Sequence, residues 1–186
     1  SYSVLVTNPY GSATSSVGVL AIFARQVLTN GGFEYPQLAV NTMTWMGPPG
    51  WTTSPIVGLV MNGNAGNPSV WRGPHGGAQY CDIGNNPSLW LAQAFSIPVS
   101  GDYHLTWFDS TGIDYGAPAL SSPYTVEILD TSDQRVSFES YDAFHTTVVW
   151  QGQSIAVHLP SGNYTLRFTP QGGGNWLDTL LDDVDL

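Results

Sequence analysis

The feature that most constrains this chain is a cadence. From Ala78 onward, short runs of alternating apolar and polar residues return about every ten positions, each closed by a turn cluster. Strands are expected at Ala78–Ile83, Leu89–Val99, Asp102–Ser110, Pro123–Asp130, Arg135–Ser140, Thr146–Trp150, Ser154–Leu159, Asn163–Thr169 and Leu177–Leu186. Turns are marked by Ser100-Gly101-Asp102, Thr131-Ser132-Asp133 and Pro160-Ser161-Gly162-Asn163. No segment carries a helical period. Many short strands without helices predict an all-β, two-sheet antiparallel β-sandwich.

Side-chain alternation assigns the faces. Tyr164, Leu166 and Phe168 alternate with Thr165, Arg167 and Thr169, which puts the first set in the core and the second toward solvent. Ile155, Val157 and Leu159 oppose Ala156 and His158 in the same way. Tyr124, Val126 and Ile128 oppose Thr125 and Glu127, while Tyr103, Leu105 and Trp107 leave His104, Thr106 and Phe108 on their other face. The region from Gln37 to Pro68 reads as loop-rich, with one strand-like run at Pro55 to Met61.

Charge narrows the partners. The chain has 186 residues, only 10% of them charged, and a formal net charge of −10. It has no lysine, and its four cations are Arg25, Arg72, Arg135 and Arg167. Nucleic acid and anionic membrane surfaces are therefore poor partners, since both need basic patches. No apolar run approaches the roughly 20 residues that span a bilayer. No leader peptide is visible, so the chain reads as a mature product or an excised piece. The single cysteine, Cys81, excludes an internal disulfide and reads as a small buried hydrophobe on a strand.

The two ends carry different signals. Alternation over Tyr2, Val4 and Val6, a turn at Asn8-Pro9-Tyr10-Gly11 and a second run at Ser15–Ile22 predict a hairpin. It resembles the last hairpin of an immunoglobulin-like domain whose remainder is absent. Residues 1–24 are thus expected as a hairpin, linker or pairing strand, and residues 28–186 as the main domain. A lone hairpin is marginal in water, so this one should dock on the main domain, pair with a neighbouring domain or subunit, or mark a cut between modules. In the main domain, Asn30-Gly31-Gly32-Phe33-Glu34-Tyr35-Pro36 opens the fold and Leu181-Asp182-Asp183-Val184-Asp185-Leu186 closes it. First and last strands of a sandwich often lie side by side, which would bring Glu34 to Asp182 and Asp183. Such carboxylates repel unless a cation joins them, and oxygen-only ligands point to calcium. A solvated acidic chain end is the other reading, and the residues alone leave both open.

The Asn-Gly-Gly-Phe-Glu opening, Gly50-Trp51, Gln93-x-Phe95 and the closing Asp182-Asp183-Val184 together resemble the calcium-containing jelly-roll carbohydrate-binding modules. These are galactose-binding-like sandwiches that include the family 4, 9 and 22 types. The resemblance covers roughly Leu28 to Leu186. It implies a jelly roll with a structural calcium held by Glu34 and Asp182, with Asp183 as an additional candidate. It also implies a non-catalytic carbohydrate-binding module of a secreted, bacterial multidomain protein, with a polysaccharide or oligosaccharide as partner.

Chemistry-bearing residues agree with a binding role. His75, His104, His145 and His158 lack the spacing of a metal site, no Gly-x-Ser-x-Gly elbow occurs, and acidic pairs for glycoside hydrolysis arise by chance in any acidic sandwich. Aromatics are plentiful, with seven tryptophans and nine tyrosines, and sugar rings stack their C–H faces on such rings. Trp51, Trp107 and Trp90 read as core. Trp45, Trp71, Tyr115, Tyr141, Trp150 and Trp176 lie in or beside loops and are candidate ligand platforms, with Trp71-Arg72 and His75 as the leading cluster. The competing class is an extracellular structural or adhesive subunit, assembled into a filament by strand pairing through residues 2–22.

Overall fold

Segments that are apolar on one face only can hide that face by stacking two sheets. The computed structural model describes residues 3–16, 27–54, 59–62, 73–111, 121–143, 150–172 and 178–186, with backbone alone at 59–62. In it the strands are β1 (Leu5–Asn8), β2 (Gly11–Thr14), β3 (Met43–Thr44), β4 (Thr52–Thr53), β5 (Leu59–Asn62), β6 (Gln79–Asp82), β7 (Leu91–Ile97), β8 (Gly101–Thr111), β9 (Pro123–Leu129), β10 (Arg135–Asp142), β11 (Gln151–Leu159), β12 (Gly162–Pro170) and β13 (Thr179–Asp185). A five-stranded sheet runs β10-β9-β12-β7-β4, and a six-stranded sheet runs β11-β8-β13-β6-β5-β3. Every pairing is antiparallel. No helix occurs among the described residues. This is the expected all-β jelly-roll sandwich.

The alternation places the core where the sequence puts it. Trp107, Leu105, Tyr124, Val126, Ile128, Leu166 and Phe168 are all buried between the sheets. Trp107 meets Phe168 edge-on at 5.7 Å and Tyr141 at 4.9 Å. Each such side chain contributes roughly 1.5–3 kcal/mol through its burial. Three buried polar groups form a chain in the core: the Trp107 indole N–H donates to the Tyr124 hydroxyl, which donates to Asp109 at 2.6 Å. Burial and the Asp109 charge push the Tyr124 phenol far above its ordinary range, so it stays a neutral donor.

Three expectations need correction. The second strand of the hairpin runs over Gly11–Thr14, not Ser15–Ile22, because only two residues turn the chain after Asn8; residues 17–22 lie outside the described part. Trp150 stands before β11 rather than at the end of a strand, and 146–149 lie outside the described residues. The opening segment is not a regular strand either. Residues 27–33 form bends and turns, because Asn30 and Phe33 both take left-handed backbone angles (φ 52° and 56°).

That opening turn is nevertheless tied down by the other motifs. Asn30 brackets it with its side chain, accepting from Tyr35 N and donating to the Tyr35 and Pro49 carbonyls. The Trp51 indole donates to the Asn30 carbonyl. Gln93 grips Thr29 through both amide atoms, and Gln79 does the same for Phe33 and Leu38. The closing strand arrives at the same point, where Val184 N donates to the Gly31 carbonyl at 3.0 Å. A side chain at Gly31 would run into the Val184 carbonyl, so only glycine permits this approach.

Candidate functional site

The outer face of the five-stranded sheet carries a groove lined by charged and aromatic side chains. Register sets one row of side chains across it: Phe138 on β10, Glu127 on β9, Arg167 on β12 and Ala92 on β7. Glu127 was assigned to solvent; it does point outward, but it is only 3% exposed because its neighbours cover it. Arg167 donates to Glu127 Oε2 through Nε at 2.9 Å and Nη2 at 2.6 Å. Arg135 brings Nε within 2.6 Å of Oε1 and lays its guanidinium over the Phe138 ring at 4.4 Å. No donor meets Oε1 at a hydrogen-bond angle, so charge and the ring, not a directional bond, hold Arg135. Trp90, Thr125, Thr169, Gln171 and Pro87 complete a groove of about 350 Å³.

Trp90 is therefore not core. It is half-buried and lines the groove. Its parity carried the information: Trp90 shares a face with Ala92, Ala94 and Ser96, opposite the inward Leu91, Gln93, Phe95 and Ile97. A larger hollow of about 610 Å³ is lined by Val27, Phe95, Tyr103, His104 and Leu186 among others. Two of its polar groups are already engaged, Asp102 by His158 and the Tyr103 hydroxyl by the Val99 carbonyl.

Glu34, Asp182 and Asp183 each reach the segment from His75 to Gln79. Asp182 pairs with Phe108, and a bulge between it and Asp185, with Asp183 at φ 48°, turns Asp183 out of the ladder. Asp182 is fully buried and accepts from the His75, Gly76 and Asp183 amides. Glu34 Oε1 accepts from the Ala78 and Gln79 amides at 2.8 and 2.9 Å. Asp183 meets His75 Nδ1 at 2.7 Å. Space for a side chain at Gly76 is taken by Asp183, and at Gly77 by Glu34, so the two acids flank one glycine pair. Burial first, then the Asp183 charge, pushes Asp182 up to about 8. Among the described residues, no three acidic, His or Cys side chains converge on a single point.

The aromatic candidates scatter. Trp45 is exposed after β3, and Tyr141 lies within β10, not a loop, with its ring turned inward on Trp107 and Tyr124. Trp150 donates its indole N–H to the Gly73 carbonyl and packs edge-on against Tyr80 and His75. His75 stacks on Phe108 at 3.4 Å, an arrangement spacing alone did not reveal. Trp71, Arg72, Tyr115 and Trp176 lie outside the described residues.

A separate pair of acids, Asp82 on β6 and Asp178 just before β13, also interacts. Burial, then the Asp178 charge, holds Asp82 well above the carboxylate range, and burial raises Asp178 from 3.8 to about 6. Both folded values exceed the unfolded ones. Their contribution to stability is therefore complete below about pH 4, and the share of Asp178 is lost as pH rises through about 6. Asp82→Asn keeps the oxygen that accepts from Gly84 N and removes the charge. It should raise stability at pH 7.5 by about 2 kcal/mol and have little effect at pH 4. Urea denaturation at the two pH values checks this, and equal effects at both would contradict the raised pKa values of the pair.

No family model and no curated protein matches the sequence. Solved structures do resemble it. TmCBM61, solved with β-1,4-galactotriose, aligns over 87% of this chain and 97% of its own, with a TM-score of 0.58 at 18% identity. A CBM4 module aligns over 84% and 96%, with a TM-score of 0.50 at 16% identity. An arabinose-bound α-L-arabinofuranosidase matches 86% of this chain but only 26% of its own, with a TM-score of 0.55 at 12% identity. The chain has the jelly-roll β-sandwich fold that these carbohydrate-binding modules share.

Proposed function

We propose that this chain is a non-catalytic module that binds a polysaccharide or oligosaccharide in the groove over β10, β9, β12 and β7. The observation that carries this is the groove itself. It combines an indole, a phenyl ring and fixed polar groups in the size range of small-ligand sites. Trp90 and Phe138 offer flat apolar surface to sugar C–H faces, while Arg135, Arg167, Thr125, Thr169 and Gln171 supply hydroxyl partners. Likeness to TmCBM61 and CBM4 supports the same reading. Affinity electrophoresis on plant and algal polysaccharides tests it. Trp90→Ala should weaken binding about tenfold or more, the cost of losing a central aromatic anchor. No retardation on any polymer would sink the proposal. Trp71, Arg72, Tyr115 and Trp176 are retained as further ligand contacts, to be scanned by alanine replacement in the same gels.

The reading includes a structural calcium held by Glu34, Asp182 and Asp183, in a domain of a secreted, bacterial multidomain protein. The donors are hard carboxylate oxygens beside a glycine turn, the type calcium prefers. Two adjacent acids, one fully buried, crowd negative charge that a dication would relieve.

One observation favours a second reading, a surface or filament subunit. β1 and β2 form their own two-stranded sheet, every residue of which is exposed, with Val4, Leu5, Val6 and Tyr10 presenting apolar surface. Such a hairpin gains stability from a partner. A strictly monomeric mass in solution would exclude pairing between copies.

A further inference from the structure

We infer that the groove selects an anionic glycan, one bearing carboxylate groups on its sugar rings; this rests on the groove being the glycan site. The chain has four cationic side chains, two of which, Arg135 and Arg167, stand in this one groove. No other arginine or lysine occurs among the described residues. Two guanidiniums face a single carboxylate, so the groove keeps a formal charge of about +1 on a protein of −10. The general field would repel a polyanion, but beyond about 8 Å physiological salt screens it, and contact charges then decide.

Donors remain for such a ligand. Arg167 spends Nε and Nη2 on Glu127, and Arg135 spends only Nε. The outer nitrogens of both form the planar fork that binds carboxylate in bidentate fashion. Arg135 is also the more exposed partner. Its side chain is 60% exposed, and Glu127 holds it by charge without a directional bond. Glu127 is then both the anchor of the two arginines and the competitor of the ligand's carboxylate.

The test uses polymers that differ in charge: polygalacturonate, its fully methyl-esterified form, and neutral galactan, with a sulfated galactan to separate carboxylate from sulfate. Polygalacturonate should bind about tenfold or more tightly than its ester, since esterification removes the ion pair. Arg135→Gln should abolish that preference while leaving the melting curve unchanged, because Arg135 is exposed and Arg167 still pairs with Glu127. Glu127→Gln removes the competing charge and should tighten polygalacturonate binding, whereas a groove built for neutral hydroxyls would lose an acceptor. Preference for the sulfated polymer over polygalacturonate would overturn the carboxylate assignment. Equal binding of acid and ester, or an unchanged preference in Arg135→Gln, would overturn the anionic inference and leave glycan binding standing. Absence of binding to all four polymers would overturn both.

Discussion

Replacing Arg167 with leucine is expected to lower the unfolding free energy by about 3 kcal/mol, among the largest single-site effects in this fold. Glu127 has a side chain only 4% exposed, and Arg167 gives it both directional hydrogen bonds. Taking that partner away strands a buried charge whose other contact, Arg135, is itself mostly in water and worth little. The cost comes from stranding the carboxylate, not from the pair's net worth. Arg167→Leu combined with Glu127→Leu should therefore recover most of the loss, since no charge is then left buried. Urea denaturation of both variants at one pH measures this. A single variant as stable as wild type would mean that Glu127 does not depend on Arg167.

Chelation should produce the second large effect. If calcium joins Glu34, Asp182 and Asp183, an ion present at a hundred times its dissociation constant adds about 2.7 kcal/mol. For a chain of this length that corresponds to a melting temperature about 5–10 °C higher than in chelator. Glu34→Gln should mimic chelation in part, because it removes a charge yet keeps one oxygen. Glycan specificity should not change at temperatures where the domain stays folded, because the carboxylates sit at the opening turn and the groove on the outer face of the other sheet. Identical melting with excess chelator and with added calcium would remove the ion from the description.

What could be read in advance follows from how far each property reaches along the chain. Tyr164, Leu166 and Phe168 were legible as core because a strand's two faces are set by neighbours two positions apart. Meeting of the opening and closing motifs was legible as well. The groove was not, because it depends on register between distant strands. Only the pairing of residue 127 with both 138 and 167 makes a buried ion pair of residues that individually look solvent-facing. At Trp90 the parity of the strand outweighs the apolar size of the ring, and the indole faces the groove.

The position of β13 in its sheet has a consequence for synthesis. It lies between β8 and β6, so the sheet's two halves, β11-β8 and β6-β5-β3, share no hydrogen-bonded edge without it. This middle strand is also the last of the described strands to leave the ribosome. Until it emerges, β8 and β6 each expose an open edge, and the Asn30 turn lacks the Val184 amide that completes it. The nascent chain must hold these edges apart from other chains until β13 emerges. Folding then proceeds through contacts that span nearly the whole sequence, which makes it slow and concerted.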